Sequence, residues 1–176
     1  MIYTGIGSRK TPQQVLAMMT RIAKRLADLG FTLRSGGASG ADTAFHQGAC
    51  AGNGTFEIYL PWPNFQGLQG VGIIDSPAKE AYQIAERFHP KWSVLRSSVQ
   101  ALHARNVHQV LGMDLKTPSM LVICWTPDGA ETLEETSIET GGTGTAIRIA
   151  SSYGVPVVNM ARPGYLERIA EIIKNR

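Results

Sequence analysis

Phe31-Thr32-Leu33-Arg34-Ser35-Gly36-Gly37-Ala38-Ser39-Gly40-Ala41-Asp42 changes character twice in one short stretch. Phe31 to Ser35 is β-prone, the glycines permit a tight turn, and Ala41 to Ala51 has a helix-forming composition closed by Gly52-Asn53-Gly54. Strand, glycine turn and helix form the repeating unit of an α/β sheet. The same unit precedes it. Met1 to Ile6 reads as a strand, and Pro12 to Leu29 carries Val15, Leu16, Met19, Ile22, Ala23 and Leu26 at helical spacing, with Gly30 as the C-cap. Phe56 to Leu60 then reads as a third strand, stopped by Pro61 and Pro63, so the first third of the chain is βαβαβ.

The rest continues the alternation with one interruption. Asn64 to Ile74 is rich in Gly, Asn and Gln with little periodicity and reads as a surface excursion. Helices follow over Pro77 to Phe88 and Ser97 to Leu111, separated by the His89-Pro90 break. Met120 to Thr126 is almost wholly apolar, as a parallel strand buried on both faces should be. Asp128 to Thr140 is acidic and polar and reads as an exposed loop or hairpin. A helix through Tyr153, a strand over Val155 to Met160 and a helix over Gly164 to Lys174 complete the chain. The expectation is a Rossmann-like, doubly wound α/β fold, its mainly parallel sheet covered by helices on both faces. Neither a repeat nor a linker interrupts it, so residues 1–176 are expected to form one domain.

Composition excludes several classes. A run of about 18 or more apolar residues is absent, and Met1-Ile2-Tyr3-Thr4-Gly5 lacks the basic flank and apolar stretch of a signal peptide, so no membrane partner and a cytoplasmic location are expected. The net charge of +3 permits a phosphate-bearing partner without announcing a nucleic-acid binder. Cys50 and Cys124 lie in apolar surroundings and are expected to be buried free thiols. His46, His89, His103 and His108 lack ligand spacing, so no metal is expected.

In an open parallel sheet the ligand crevice lies beyond the carboxyl ends of the strands, and three such places are rich in glycine. The first is Gly5-Ile6-Gly7-Ser8-Arg9-Lys10, where Gly7 lets the backbone approach a ligand and Ser8, Arg9 and Lys10 offer donors. The second is Ser35-Gly36-Gly37-Ala38-Ser39-Gly40-Ala41-Asp42. The third is Gly141-Gly142-Thr143-Gly144-Thr145, with Arg148 one turn into the helix. Each precedes a helix, whose unpaired N–H groups and macrodipole favour an anion such as phosphate. Asp42 in its first turn serves the helix dipole, contacts a ribose hydroxyl or fixes the loop. Arg105-Asn106 is a second polar pair among Leu102, Val107, Val110 and Leu111.

Familiar motifs fail where they can be tested. Lys10 stands where a dinucleotide fingerprint needs its third glycine, so no nicotinamide cofactor is expected, and no other cofactor is implied. The second loop lacks the Gly-Lys-Ser/Thr ending of a Walker A site, and Ser39 is not framed as a hydrolase nucleophile.

With these loops in hand, the chain resembles the superfamily that unites the Rossmann-like domain of the DNA-processing protein DprA with the LOG (lysine-decarboxylase-like) nucleotide-processing proteins. Gly7-Ser8-Arg9, Ser35 to Asp42, His46 and Ala49 look like the DprA pattern, as do Phe88-His89-Pro90 and, after an insertion, Arg105-Asn106. The third loop is similar to the LOG phosphate loop, with Thr140 in the place of its proline and Arg148 in the place of its catalytic glutamate. The DprA resemblance implies a recombination mediator that binds single-stranded DNA and helps to load a recombinase, here expected as the core without the flanking domains of full-length members. The LOG resemblance implies N-glycosidic hydrolysis of a nucleoside monophosphate. Both imply a homo-oligomer, such as a dimer.

Residue chemistry ranks these readings. Cleavage at a ribose needs a carboxylate to offset developing positive charge or to activate water, which Arg148 cannot supply; Asp42, Glu134, Glu135 and Glu139 are the available substitutes. Arg148 suits a phosphate instead. The leading expectation is therefore a binding or sensing protein for a phosphorylated nucleotide, ahead of DNA binding and hydrolysis. Trp62, Phe65, Trp92 and Trp125 are the candidate base-stacking aromatics.

Overall fold

The computed structural model describes residues 1–175. Its six strands form one sheet in the order β4-β3-β2-β1-β5-β6, every neighbouring pair parallel. The elements run β1 (Ile2–Gly5), α1 (Gln13–Asp28), β2 (Thr32–Ser35), α2 (Ala41–Ala51), β3 (Phe56–Tyr59), β4 (Ile73–Ile74), α3 (Lys79–Phe88) and α4 (Ser97–Leu111), then β5 (Val122–Cys124), α5 (Thr143–Ser152), β6 (Val157–Asn159) and α6 (Tyr165–Lys174). This is the Rossmann-like doubly wound architecture.

Two apolar clusters sandwich the sheet. On one face Met19, Ile22 and Leu26 of α1, Phe45 of α2 and Ile169 of α6 meet Leu33, Ile58 and Ile123. On the other face Ala104, Val107 and Leu111 of α4 join Ile147 and Ile149 of α5 over Val122 and Cys124. β5 is buried on both faces, which is why its sequence lacks alternation. Each such side chain, fully buried, contributes about 1.5–3 kcal/mol. The α1 stripe read from the sequence is the face that packs on the sheet, and Gly30 closes that helix at φ 79°.

The strand order reverses between β1 and β5. β1 turns to β2 on one side and to β5 on the other, so the chains leaving the two strands diverge and open a crevice at their carboxyl ends. Here the Ser8 N–H donates to the Trp125 carbonyl (3.0 Å), tying the loop after β1 to the end of β5.

The structure differs from the sequence reading at several places, and the strands read over Met120 to Thr126 and Val155 to Met160 narrow to Val122–Cys124 and Val157–Asn159. The excursion over Asn64 to Ile74 contains a two-residue strand, β4, whose Ile73 and Ile74 pair with Ile58 and Tyr59. Cys50 is exposed on the outer side of α2, whereas Cys124 is a buried free thiol in β5. Burial pushes the Cys124 thiol upward. Finally, α3 begins at Lys79 rather than at Pro77. Among the described residues no helix is long and apolar enough to cross a membrane.

Candidate functional site: the crevice between β1 and β5

The crevice encloses ≈ 400 Å³, within the range of small-ligand sites. Its first wall is the loop after β1, Gly7 to Lys10. That loop can lie close to α2 only because residue 7 has no side chain: a Cβ there would stand 2.8 Å from Ala41 Cβ and 3.1 Å from the Trp125 carbonyl. Ser8 folds the loop back on itself, its carbonyl accepting from the Thr11 N–H (3.1 Å) and its hydroxyl from the Lys10 N–H (3.1 Å). Arg9 and Lys10 remain exposed at the rim.

The floor comes from the second loop and α4. Asp42 is almost wholly buried, where its carboxylate accepts from Arg105 Nη1 (3.0 Å) and the Ala38 N–H (3.2 Å). The same Nη1 donates to the Gly36 carbonyl (2.6 Å). Burial pushes the Asp42 carboxyl above its ordinary range, against the pull of Arg105, the Ala38 N–H and Arg9. Burial likewise lowers Arg105, and Asp42 opposes it. A Cβ on Gly36 would fall inside the Arg105 guanidinium and the Gln109 amide, so glycine is required there for the ion pair to reach the loop. Asp42 thus fixes the loop, one of the roles expected of it, and does so with the help of the Arg105 guanidinium.

The far wall is α4 and the start of α5. Asn106 Nδ2 donates to the Gly142 carbonyl (2.9 Å), joining α4 to the third loop. His103 is buried, with Nδ1 2.8 Å from Thr145 Oγ1 and its ring 4.3 Å from that of His89. Burial, with the nearby His89, Arg105 and Arg148, pushes the His103 imidazole down to about 4, so it is neutral at physiological pH. If the Thr145 hydroxyl donates to Nδ1, the Nε2–H is left as a donor. Gln109 lines the crevice too, and its buried Nε2 has no hydrogen-bond partner. An unpaired buried amide donor costs about 1–3 kcal/mol, and an acceptor brought by a ligand removes that cost.

Of the site residues expected from the sequence, Gly7, Ser8, Arg9, Ala38, Asp42, Arg105, Gly142 and Thr143 line this crevice. The others serve it from behind or lie elsewhere. Ser35 donates to the Gly5 carbonyl (2.7 Å), clamping β2 to β1. Gly37, at φ +68°, faces Leu60 and Leu68, and Ser39 is exposed. Gly141 is exposed outside the lining, Gly144 packs against Thr140, and Thr145 holds His103. Arg148 turns away, donating from Nε to Thr136 (2.8 Å) and from Nη1 to the Phe88 carbonyl (3.3 Å). Trp62, Phe65, Trp92 and Trp125 are not among the lining residues; Trp62 packs edge-on against Phe65.

His103 and Gln109 are the site residues that the sequence reading missed. For Gln109 a signal was present, since Leu102, Arg105, Asn106 and Gln109 recur at i, i+3, i+4 and i+7 with three polar residues of four on one face of α4; His103 lies outside that stripe.

The acidic segment 128–140 is tied down outside the crevice. Although burial acts to raise it, hydrogen bonds from Thr140, Ser137, Thr126 and the Ala130 N–H bring the Asp128 carboxyl down to about 2. Glu131 accepts from the Asn159 N–H (2.7 Å) and pairs with Arg168 (2.6 Å), and Glu135 pairs with Arg162 (2.6 Å). Glu134 and Glu139 are exposed and do not line the crevice. Asp42, already paired, is its one lining carboxylate among the described residues.

No curated protein and no solved structure matches the chain. Over less than half its length, residues 2–59, from the start of β1 to the end of β3 and so across the first two glycine loops and Asp42, the chain matches the family of the DNA recombination-mediator protein A, DprA.

Proposed function

We propose that this protein binds a phosphorylated nucleotide in the crevice between β1 and β5. The observation that carries the reading is the donor-rich lining around a single, already neutralised carboxylate. Ser8, Arg9 and Lys10 offer donors at the rim; His103, Asn106 and the unpaired Gln109 amide stand deeper. Such a lining favours an anionic ligand rich in acceptors, and backbone N–H groups at a glycine loop suit its phosphate. Binding is favoured over N-glycosidic hydrolysis because Asp42 is engaged by Arg105 and because Glu131 and Glu135 are held by Arg162 and Arg168. Calorimetric titration with mononucleotides, dinucleotides and cyclic nucleotides tests this. Binding that weakens about tenfold for Arg9→Ala, the loss of roughly one charge-assisted contact, is expected. Heat-silent titrations across the whole set, with the fold intact, would overturn it.

A second reading, single-stranded DNA binding of the DprA kind, is favoured by the family match over residues 2–59. It predicts that affinity for an oligothymidylate falls steeply with salt as counterion release is lost, and that changing Arg9 and Lys10 shallows the slope. Salt-independent or absent binding would count against it.

A further inference from the structure

The sheet face that carries α1, α2 and α6 is unevenly covered. α2 packs along α1, but α6 does not, and a groove of ≈ 450 Å³ runs between α1 and α6. Ile22, Leu26 and Leu29 form one wall and Leu166, Ile169 and Ile173 the other, each set at helical spacing. Leu29 and Leu166 stand 49% and 45% exposed, an unusual state for two leucines that share a groove. Among the described residues, the charges that line this apolar strip are all of one sign: Arg21 and Arg25 on α1, and Lys174 on α6. The nearby Asp28 is paired with Lys24 (2.9 Å), and the α6 carboxylates Glu167 and Glu171 are not part of the lining.

We infer that this groove seats an amphipathic helix of a partner protein, with leucine-like residues on the buried face and carboxylates along its edges. The shape fits, because the wall from Met18 to Leu29 is about 16 Å long at 1.5 Å per residue, three turns of a docked helix. The charge selects the partner. Carboxylates on the incoming helix would neutralise Arg21, Arg25 and Lys174 at the rim, where complementarity governs specificity and encounter rate. A second copy of this chain fits less well, since a two-fold contact through the groove would gather the cations of both copies around one apolar seam. The inference is independent of what the crevice binds, since the two sites share no residue.

The test uses the full chain and two labelled synthetic helical peptides of about four turns, with leucines at i, i+3, i+4 and i+7. One carries glutamates and the other lysines at the remaining positions. Fluorescence anisotropy is expected to give micromolar binding of the glutamate peptide, at least tenfold weaker for R21E/R25E and for L166E. These positions are on the surface, and circular dichroism checks that the variants fold. The lysine peptide is expected not to bind. Equal binding of the two peptides, or no binding at millimolar concentration, would overturn the inference. So would self-association in sedimentation that L166E abolishes, or adsorption to vesicles of anionic phospholipid in place of peptide binding.

Discussion

The second and third glycine loops read alike in the sequence, each a glycine cluster ahead of a helix, and the folded molecule uses them in opposite ways. The second is drawn inward: Gly36 and Ala38 meet Arg105 and Asp42, and the crevice floor is built on that contact. The third contributes Gly142 and Thr143 to the lining, while Thr140 closes the 128–140 segment onto Asp128, Thr145 holds His103, and Arg148 holds Thr136. A glycine cluster before a helix therefore reports that the backbone is free to approach something. Whether that something is a ligand or another part of the chain depends on which side chains face it.

The contrast can be broken most forcefully at the buried ion pair. Arg105→Ala leaves Asp42 buried without its partner, and urea unfolding is expected to report a loss of about 3–5 kcal/mol. Adding Asp42→Asn to it should recover part of that loss; strict additivity would mean that the two residues do not act as a pair. Gly36→Ala comes next. Its methyl overlaps Arg105 and Gln109 and should cost about 2–3 kcal/mol by displacing them, whereas Gly142→Ala, with open space at its Cβ position, should cost far less.

His103 gives a smaller, pH-dependent effect. Its folded pKa of about 4 lies below the unfolded value near 6.5, so the unfolded chain takes up a proton first. The stabilisation is complete above pH 6.5 and is lost as pH falls towards 4. The loss is about 2 kcal/mol by pH 5, and unfolding curves of H103Q should be flatter across that window. His46, His89 and His108 are lowered by burial in the same direction, so the wild-type curve keeps some slope in the variant. Asp128 acts in a separate window, with its contribution lost between about pH 4 and pH 2. The smallest effect is expected from Arg148→Ala. Nucleotide affinity should change by less than about twofold, under 0.5 kcal/mol, because its guanidinium is engaged outside the crevice. A tenfold loss would return Arg148 to the binding site.

Helices were the most legible part of the fold. The α1 stripe and the composition of Ala41 to Ala51 announce themselves locally, and α2 and α4 have the bounds that the sequence suggests. β4 was not legible, because Ile73 and Ile74 become a strand only by pairing with Ile58 and Tyr59 at the sheet edge. In the site, the glycine loops were visible but the Asp42–Arg105 pair was not, since it joins residues 63 positions apart that meet only when α4 packs across β3 and β2. His103 was hidden, and the polar stripe that holds Gln109 was ambiguous, for a related reason. On a helix rich in buried residues, polarity alone does not say which side faces open space.

The central claim is that a nucleotide phosphate enters the crevice at the reversal of strand order between β1 and β5, against residues of the first two loops. Titrating nucleoside monophosphates into isotope-labelled protein while following its amide resonances tests this most directly. The account predicts that one or more of them produce saturable shifts at Gly7 to Lys10, at Ala38 to Asp42 and in the Gln109 side-chain amide, with little change at Gly144 to Arg148. Shifts confined to the third loop, or none at any concentration of any monophosphate, would contradict it.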